Sequence, residues 1–156
     1  MNSEKLYVLS FVKDGRPCKG AVNSKGEVII PPNFKQIDYK SDQTELIPAG
    51  ILKPNAEHAL DLHWGYIDQV GEWKIKPQYQ VLLAPNNNSI ITKLKGEWCK
   101  LNMQGEVIEK IPVTKKVEGI TPFDENDVAV AFCGDYAQLL NRQYEVIFDS
   151  KKYKVE

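Results

Sequence analysis

The chain is poor in the residues that most enzyme chemistry needs. It has two histidines and three cysteines in 156 residues. Cys18, Cys99 and Cys133 form no close pair, so neither a disulfide framework nor a paired-cysteine zinc site is expected. They read as small apolar fillers of a reducing, cytoplasmic compartment. No apolar run approaches the length of a membrane-spanning helix, and the first fifteen residues lack the apolar core and small-residue cleavage site of a signal peptide. Neither sign of charge prevails: 20 Lys and Arg face 21 Asp and Glu, a formal net charge of −1. That balance excludes a broadly basic nucleic-acid or anionic-membrane binder. Glycine-rich phosphate loops and metalloprotease motifs are absent, and the glycines stand at turns. Asn87-Asn88-Ser89 matches a glycosylation acceptor, but no secretion signal accompanies it.

What the chain does have is a repeated short plan. In residues 64–79, WGYIDQVGEWKIKPQY, a strand meets a turn from Asp68 to Gly71, a second strand follows, and Pro77 ends it. The plan recurs from Gly20 through Asn23, Gly26 and Ile30, from Trp98 through Asn102, Gly105 and Ile108, and from Ala137 through Asn141, Tyr144 and Ile147. An Asn or Asp opens the turn at 23, 68, 102 and 141, and a glutamate follows it at 27, 72, 106 and 145. Spacings of about 35 to 45 residues mark a repeat architecture. The fold expected is all-β: tandem repeats of three-stranded antiparallel meanders, stacked or curled into one compact β-repeat domain spanning 1–156. Its units run approximately over 5–40, 41–80, 81–118 and 119–156, with about twelve strands. An open solenoid, a closed barrel-like ring and a propeller-like arrangement all remain open, though three strands per unit weigh against a four-stranded propeller blade. Ile30, Ile75, Ile108 and Ile147 are the expected core, with Val22, Ile67, Leu101 and Leu140 opposite. Residues 49–63 read as an insertion carrying one helical turn. Strands are expected at 44–48 and 81–84, with a polar loop at 85–88.

Trp64-Gly65, Tyr66-Ile67-Asp68, Gly71, Lys74-Ile75, Pro77 and Tyr79 together resemble one unit of the WG-repeat family. Unit one resembles it from Gly20 to Phe34 with Lys19 in place of the tryptophan. Unit three keeps Trp98 but has Cys99 for the glycine, and unit four has Ala137 and Gln138 at those two positions. The resemblance implies a bacterial, mostly β repeat protein and brings no common catalytic residues with it.

Glu57, His58, Asp61 and His63 are the one cluster with acid/base or metal-ligating chemistry, but their spacing fits no standard motif and a solvated loop is the expected reading. No metal or other cofactor is expected. A cysteine nucleophile would need a histidine beside Cys99 or Cys133, and nothing in the sequence places one there. Trp64 and Trp98 hold equivalent positions suited to stacking between units. Trp73 stands where the other units have Val28, Val107 and Val146. The candidate binding surface is therefore Trp73, Tyr66 and Tyr79, with Trp64, His58 and His63 from the neighbouring segment, because aromatic side chains supply contact area at little entropic cost. The favoured function is a non-enzymatic protein-binding module, of which a small inhibitor or immunity-like protein is one form. The alternatives are an acid/base or metal-dependent enzyme using residues 57–63, and a glycan or cell-wall ligand binder. The partner expected is a protein, with no nucleic acid and no membrane.

Overall fold

The computed structural model describes residues 5–40, 46–58, 61–82 and 88–155. Within them the chain forms four antiparallel sheets that follow one another in sequence. The first holds β1 (Tyr7–Lys13), β2 (Arg16–Val22) and β3 (Val28–Phe34). The second holds β4 (Gln36–Ile37), β5 (Ile47–Leu52), β6 (Leu62–Ile67) and β7 (Trp73–Tyr79). The third holds β8 (Val81–Leu82), β9 (Ser89–Leu94), β10 (Glu97–Asn102) and β11 (Val107–Lys110). The fourth holds β12 (Gly119–Ile120), β13 (Ala129–Phe132), β14 (Ala137–Leu140) and β15 (Val146–Asp149).

The fold is all-β, as the repeats predict, but the three-stranded unit applies only to the first sheet. In the other three the chain leaving one sheet supplies a short outer strand to the next. β4 follows β3 after one residue, and β8 follows β7 after one residue. A two-residue strand has no periodicity to read, so the sequence does not reveal it.

The turns form as their sequences dictate. Asn23 Oδ1 accepts the backbone N–H groups of Lys25 and Glu27, each at 3.0 Å. Asp68, Asn102 and Asn141 do the same for the residues two and four positions on, at 2.9 to 3.0 Å. The recurrent glutamate has a job too: its carboxylate accepts from the amide Nδ2 of Asn23, Asn102 and Asn141 at 3.0 to 3.2 Å. Asp68 cannot donate, and Lys74 lies 3.8 Å from its carboxylate instead. Asp124 builds the same turn between β12 and β13, accepting from Asn126 and Val128.

The repeat glycine has a different cause. A Cβ at Gly20 would lie 2.7 Å from the carbonyl oxygen of Ile30 and 3.0 Å from the Cα and N of Pro32. Gly65 faces Ile75 and Pro77 in the same way. In these two units the pairing of the second and third strands shifts register twice, and the third strand bulges onto the glycine. Where Cys99 and Gln138 replace the glycine the register shifts only once, so a side chain fits.

Three apolar clusters each join consecutive sheets. Leu6, Ala21, Ile30, Phe34, Ile37, Ile47, Ala49 and Ile67 join the first to the second. Leu46, Tyr66, Ile75, Tyr79, Ile90, Cys99 and Leu101 join the second to the third. Trp98, Ile111, Val117, Ile120, Leu140 and Tyr144 are central to the cluster joining the third to the fourth.

Ile30, Ile75, Ile67, Leu101 and Leu140 are buried as expected, but Ile108 and Ile147 are more than half exposed and Val22 is only partly buried. Register is part of the reason, and the other part is that no residue of β11 or β15 is buried. Ile30 and Ile75 lie seven residues beyond their turn residue, whereas Ile108 and Ile147 lie six beyond theirs. One step along a strand turns a side chain to the opposite face. The position seven beyond is occupied by Glu109 in the third unit and Phe148 in the fourth.

That position is where consecutive units touch. The Cβ site of Gly71 lies 3.2 Å from Ile30, and that of Gly105 lies 3.2 Å from Ile75. At the third junction Glu109 replaces the isoleucine and Tyr144 replaces the glycine. Tyr144 keeps the positive φ of the glycines (63°), is buried, and packs its ring against Phe123, tilted at 57° with centroids 5.4 Å apart.

Candidate functional site

The expected 49–63 insertion is shorter than its sequence suggests. Ala49 to Leu52 belong to β5 and pair with β6 as far as Leu62, because buried Ala49 and Gly50 give Trp64 room to lie across the strand. The irregular part is 53–61. It begins with a turn closed by Ala56 N–H to Lys53 O, and Asp61 Oδ2 accepts the His58 N–H at 3.4 Å. Ala59 and Leu60 lie outside the described residues, and no helical turn occurs among the others. Thr44 and Glu45 of the expected strand at 44–48, and 83–87 of the strand and loop that follow β8, also lie outside them.

The sequence-selected aromatic patch is divided between two interiors. Tyr66 and Tyr79 are buried in the cluster joining the second and third sheets. Burial, with the neighbouring Tyr79, pushes the Tyr66 phenol well above its ordinary range, and burial likewise raises that of Tyr79. Trp73 instead packs on the cluster joining the first and second sheets, its ring meeting Phe34 edge-on at 5.4 Å. Its equivalents Val28, Val107 and Val146 are about half exposed, so this repeat position faces outward. Those rings do not form one surface. His58 is exposed, and His63 sits in β6 opposite Ile51. Among the described residues no three His, Cys, Asp or Glu side chains are grouped to hold a metal ion. Burial, then the charge of Glu97, pushes the Cys99 thiol up, which favours the unreactive thiol over the thiolate.

Trp64 behaves differently from the rest. Its repeat equivalent Trp98 is buried beneath the link to the fourth sheet and donates its indole N–H to Val117 O at 2.9 Å. Trp64 is only partly buried. With Gln36, Ile37, Asp38 and Leu62 it lines a cleft of about 440 Å³. That cleft continues past Leu62 and Gln36 to Lys35, Lys19, Cys18 and Pro17. It then reaches a further cleft of about 420 Å³ beside Lys13, Asp14, Arg16 and Asn33. The result is one groove along the junction of the first two sheets, with Trp64 at one end and cations along the other.

The tight β1–β2 hairpin, with Asp14 and Gly15 at positive φ, places Lys13 and Arg16 opposite each other. Lys35 lies on the residue between β3 and β4, so the crossing between sheets is what brings it here. Lys13 donates to Asn33 Oδ1 at 3.1 Å, Lys19 to Ser10 Oγ at 2.7 Å and Lys35 to Pro17 O at 3.4 Å. All three acceptors are neutral. Among the described residues the ion pairs are Lys74–Asp68 and Arg142–Asp127, and neither involves these cations. Residues 13, 16, 19 and 35 make no charge run, so the sequence reading missed them.

Residues 20–42 and 64–98 match the family model of the WG containing repeat. Those two stretches are similar to WG repeats. Of the groove residues, Asn33, Lys35, Gln36, Ile37, Asp38 and Trp64 lie within the matched stretches, whereas Lys13, Arg16 and Lys19 lie outside them. The curated proteins contain no match to the chain.

Proposed function

We propose that this chain is a non-enzymatic protein-binding module that holds an acidic segment of its partner in the groove between the first two sheets. The observation that carries the reading is the set Lys13, Arg16, Lys19 and Lys35, which make no ion pair among the described residues and outnumber Asp14 and Asp38 along a groove that ends at a half-open Trp64. An extended peptide would lay carboxylates along the cations and an apolar side chain against the indole. Exposed ion pairs contribute about 0.2 to 1 kcal/mol each, so the cations steer and orient while the indole anchors. Lys19 and Lys35 already rest on neutral oxygens, which limits the side-chain entropy lost on binding. The reading carries a cytoplasmic location with it, where the buried thiols of Cys18, Cys99 and Cys133 stay reduced.

Calorimetric titration with a glutamate-rich peptide containing one leucine tests this. The wild type is expected to bind it, more weakly as salt rises, because exposed charges are screened over about 8 Å at physiological ionic strength. Lys13→Glu with Lys35→Glu is expected to weaken binding at least tenfold, and Trp64→Ala to weaken it at all salt concentrations. Equal binding of a lysine-rich peptide, or no effect of the charge reversals, refutes the groove as the site.

A further inference from the structure

At each unit boundary the outer strand pairs in one way, and among the described residues the first and fourth sheets carry the two unused halves of that pairing. In the second, third and fourth sheets the outer strand is supplied by the chain leaving the preceding sheet. Its pairing is repeated: Ile37 lies opposite Ala49, Leu82 opposite Thr92, and Ile120 opposite Ala131. Ala49, Thr92 and Ala131 are themselves the partners of the repeat-glycine positions 65, 99 and 138. All three are fully buried.

In the first sheet the residue at this place is Leu9, opposite Gly20. No outer strand covers it among the described residues, and it is 46% exposed. At the other end the chain leaves β15 through the 3₁₀ turn Ser150–Lys152 and becomes extended at Tyr153. Val155 stands fourteen residues beyond Asn141, as Ile37 does beyond Asn23 and Leu82 beyond Asp68. Ile37 is 8% exposed and Val155 is 88% exposed.

The contact between unit faces is divided in the same way. Ile30 and Ile75 are covered by the turn glycine of the following unit, Gly71 and Gly105. The corresponding Phe148 is half exposed, beside similarly exposed Val146 and Ile147. The corresponding turn glycine at the other end, Gly26, has nothing within 4 Å of its Cβ site. Among the described residues the apolar clusters link consecutive sheets, and none joins the first to the fourth.

We propose that the chain assembles head to tail with further copies of itself. Residues 153–155 of one copy add as the outer strand of the first sheet of the next, with Val155 opposite Leu9. Gly26 of the second copy then settles over Phe148 of the first. The interface continues the outer-strand pairing made three times within the chain and the glycine contact made twice. Adding a strand to an open edge also satisfies backbone groups that β1 leaves to solvent. Nothing in this assembly depends on the cationic groove.

The test pairs two cysteine variants. Residues directly opposite in antiparallel strands stand about 4.5 to 5.5 Å apart, within disulfide range. Oxidising a mixture of Leu9→Cys and Val155→Cys chains is expected to give covalent dimers containing one of each. Leu9→Cys mixed with Lys152→Cys, out of register, is expected to give at least tenfold fewer. Sedimentation of the unsubstituted protein is expected to show mass rising with concentration, and Val155→Asp to return it to the monomer with an unchanged melting temperature. A monomer at every concentration with no mixed disulfide overturns the proposal. So does a doubly substituted chain that at high dilution closes a disulfide within itself, which would mean a ring made by one copy.

Discussion

Gly65→Ala isolates the cause of the repeat glycine. The added methyl would stand 2.8 Å from Pro77 N and 2.9 Å from Lys76 C, about half an ångström inside ordinary contact. Both atoms are backbone, so no rotamer change relieves the overlap and β7 must move away from β6. Overpacking of this kind costs about 1 to 3 kcal/mol. Replacing glycine by alanine at an unstrained site would instead stabilise by about 0.4 to 1 kcal/mol through the unfolded chain. The overlap wins, and a net loss of about 1 to 2 kcal/mol is expected, roughly 2 to 8 °C in melting temperature for a chain of this length. Urea denaturation followed by tryptophan fluorescence reads it. Cys99→Ala is the internal comparison: the same repeat position in a unit that already holds a side chain, where only the sulfur is lost. If Gly65→Ala melts within a degree of the wild type, the bulge of β7 is not what requires glycine and the explanation of the motif fails.

Tyr144→Val should cost about 4 kcal/mol by denaturant titration, since it removes a buried ring packed against Phe123 and places a β-branched residue at φ 63°. Tyr144→Phe, which keeps the ring, should cost much less. Asn102→Ala removes the acceptor for two backbone N–H groups and the amide donor to Glu106, and should lower stability by about 1 kcal/mol in the same assay. Alkaline unfolding should be steep. Burial raises the folded pKa of Tyr66 and Tyr79 above the ordinary phenol value, so their contribution is fully present below about pH 10 and is lost as pH rises beyond it. Absorbance at the phenolate band should show these two rings ionising only with unfolding. Their ionisation in the native protein, ahead of loss of the circular dichroism signal, would contradict the burial.

The turns were legible because a single side-chain oxygen accepting two N–H groups needs Asn or Asp at one position, and the sequence shows it there four times. Asp124 was not singled out because Asp127 and Val128 stand where the others have glycine or tyrosine and glutamate. The inward face was legible where a Gly–Pro pair marks the bulge, in the first two units. It was misread in the other two, where aligning Val-Ile pairs instead of counting from the turn residue shifted the register by one. Tyr66 and Tyr79 read as surface aromatics from their amphipathic chemistry, yet the register that buries Ile75 buries them as well. The outer strands β4, β8 and β12 escaped because pairing across a sheet boundary leaves no local pattern. The cationic groove escaped for the same reason: the crossing from β3 to β4 carries Lys35 to residues far from it in sequence.

The most direct test of the binding groove is ¹⁹F NMR of protein labelled with 5-fluorotryptophan, whose three indoles lie in the groove, on Phe34 and beneath the link to the fourth sheet. Trp64→Phe assigns the groove resonance. Adding the glutamate-rich peptide is expected to shift the Trp64 signal saturably and to leave that of Trp98 in place, with the shift lost in the Lys13→Glu, Lys35→Glu protein. An unmoved Trp64 signal at saturating peptide would contradict the account.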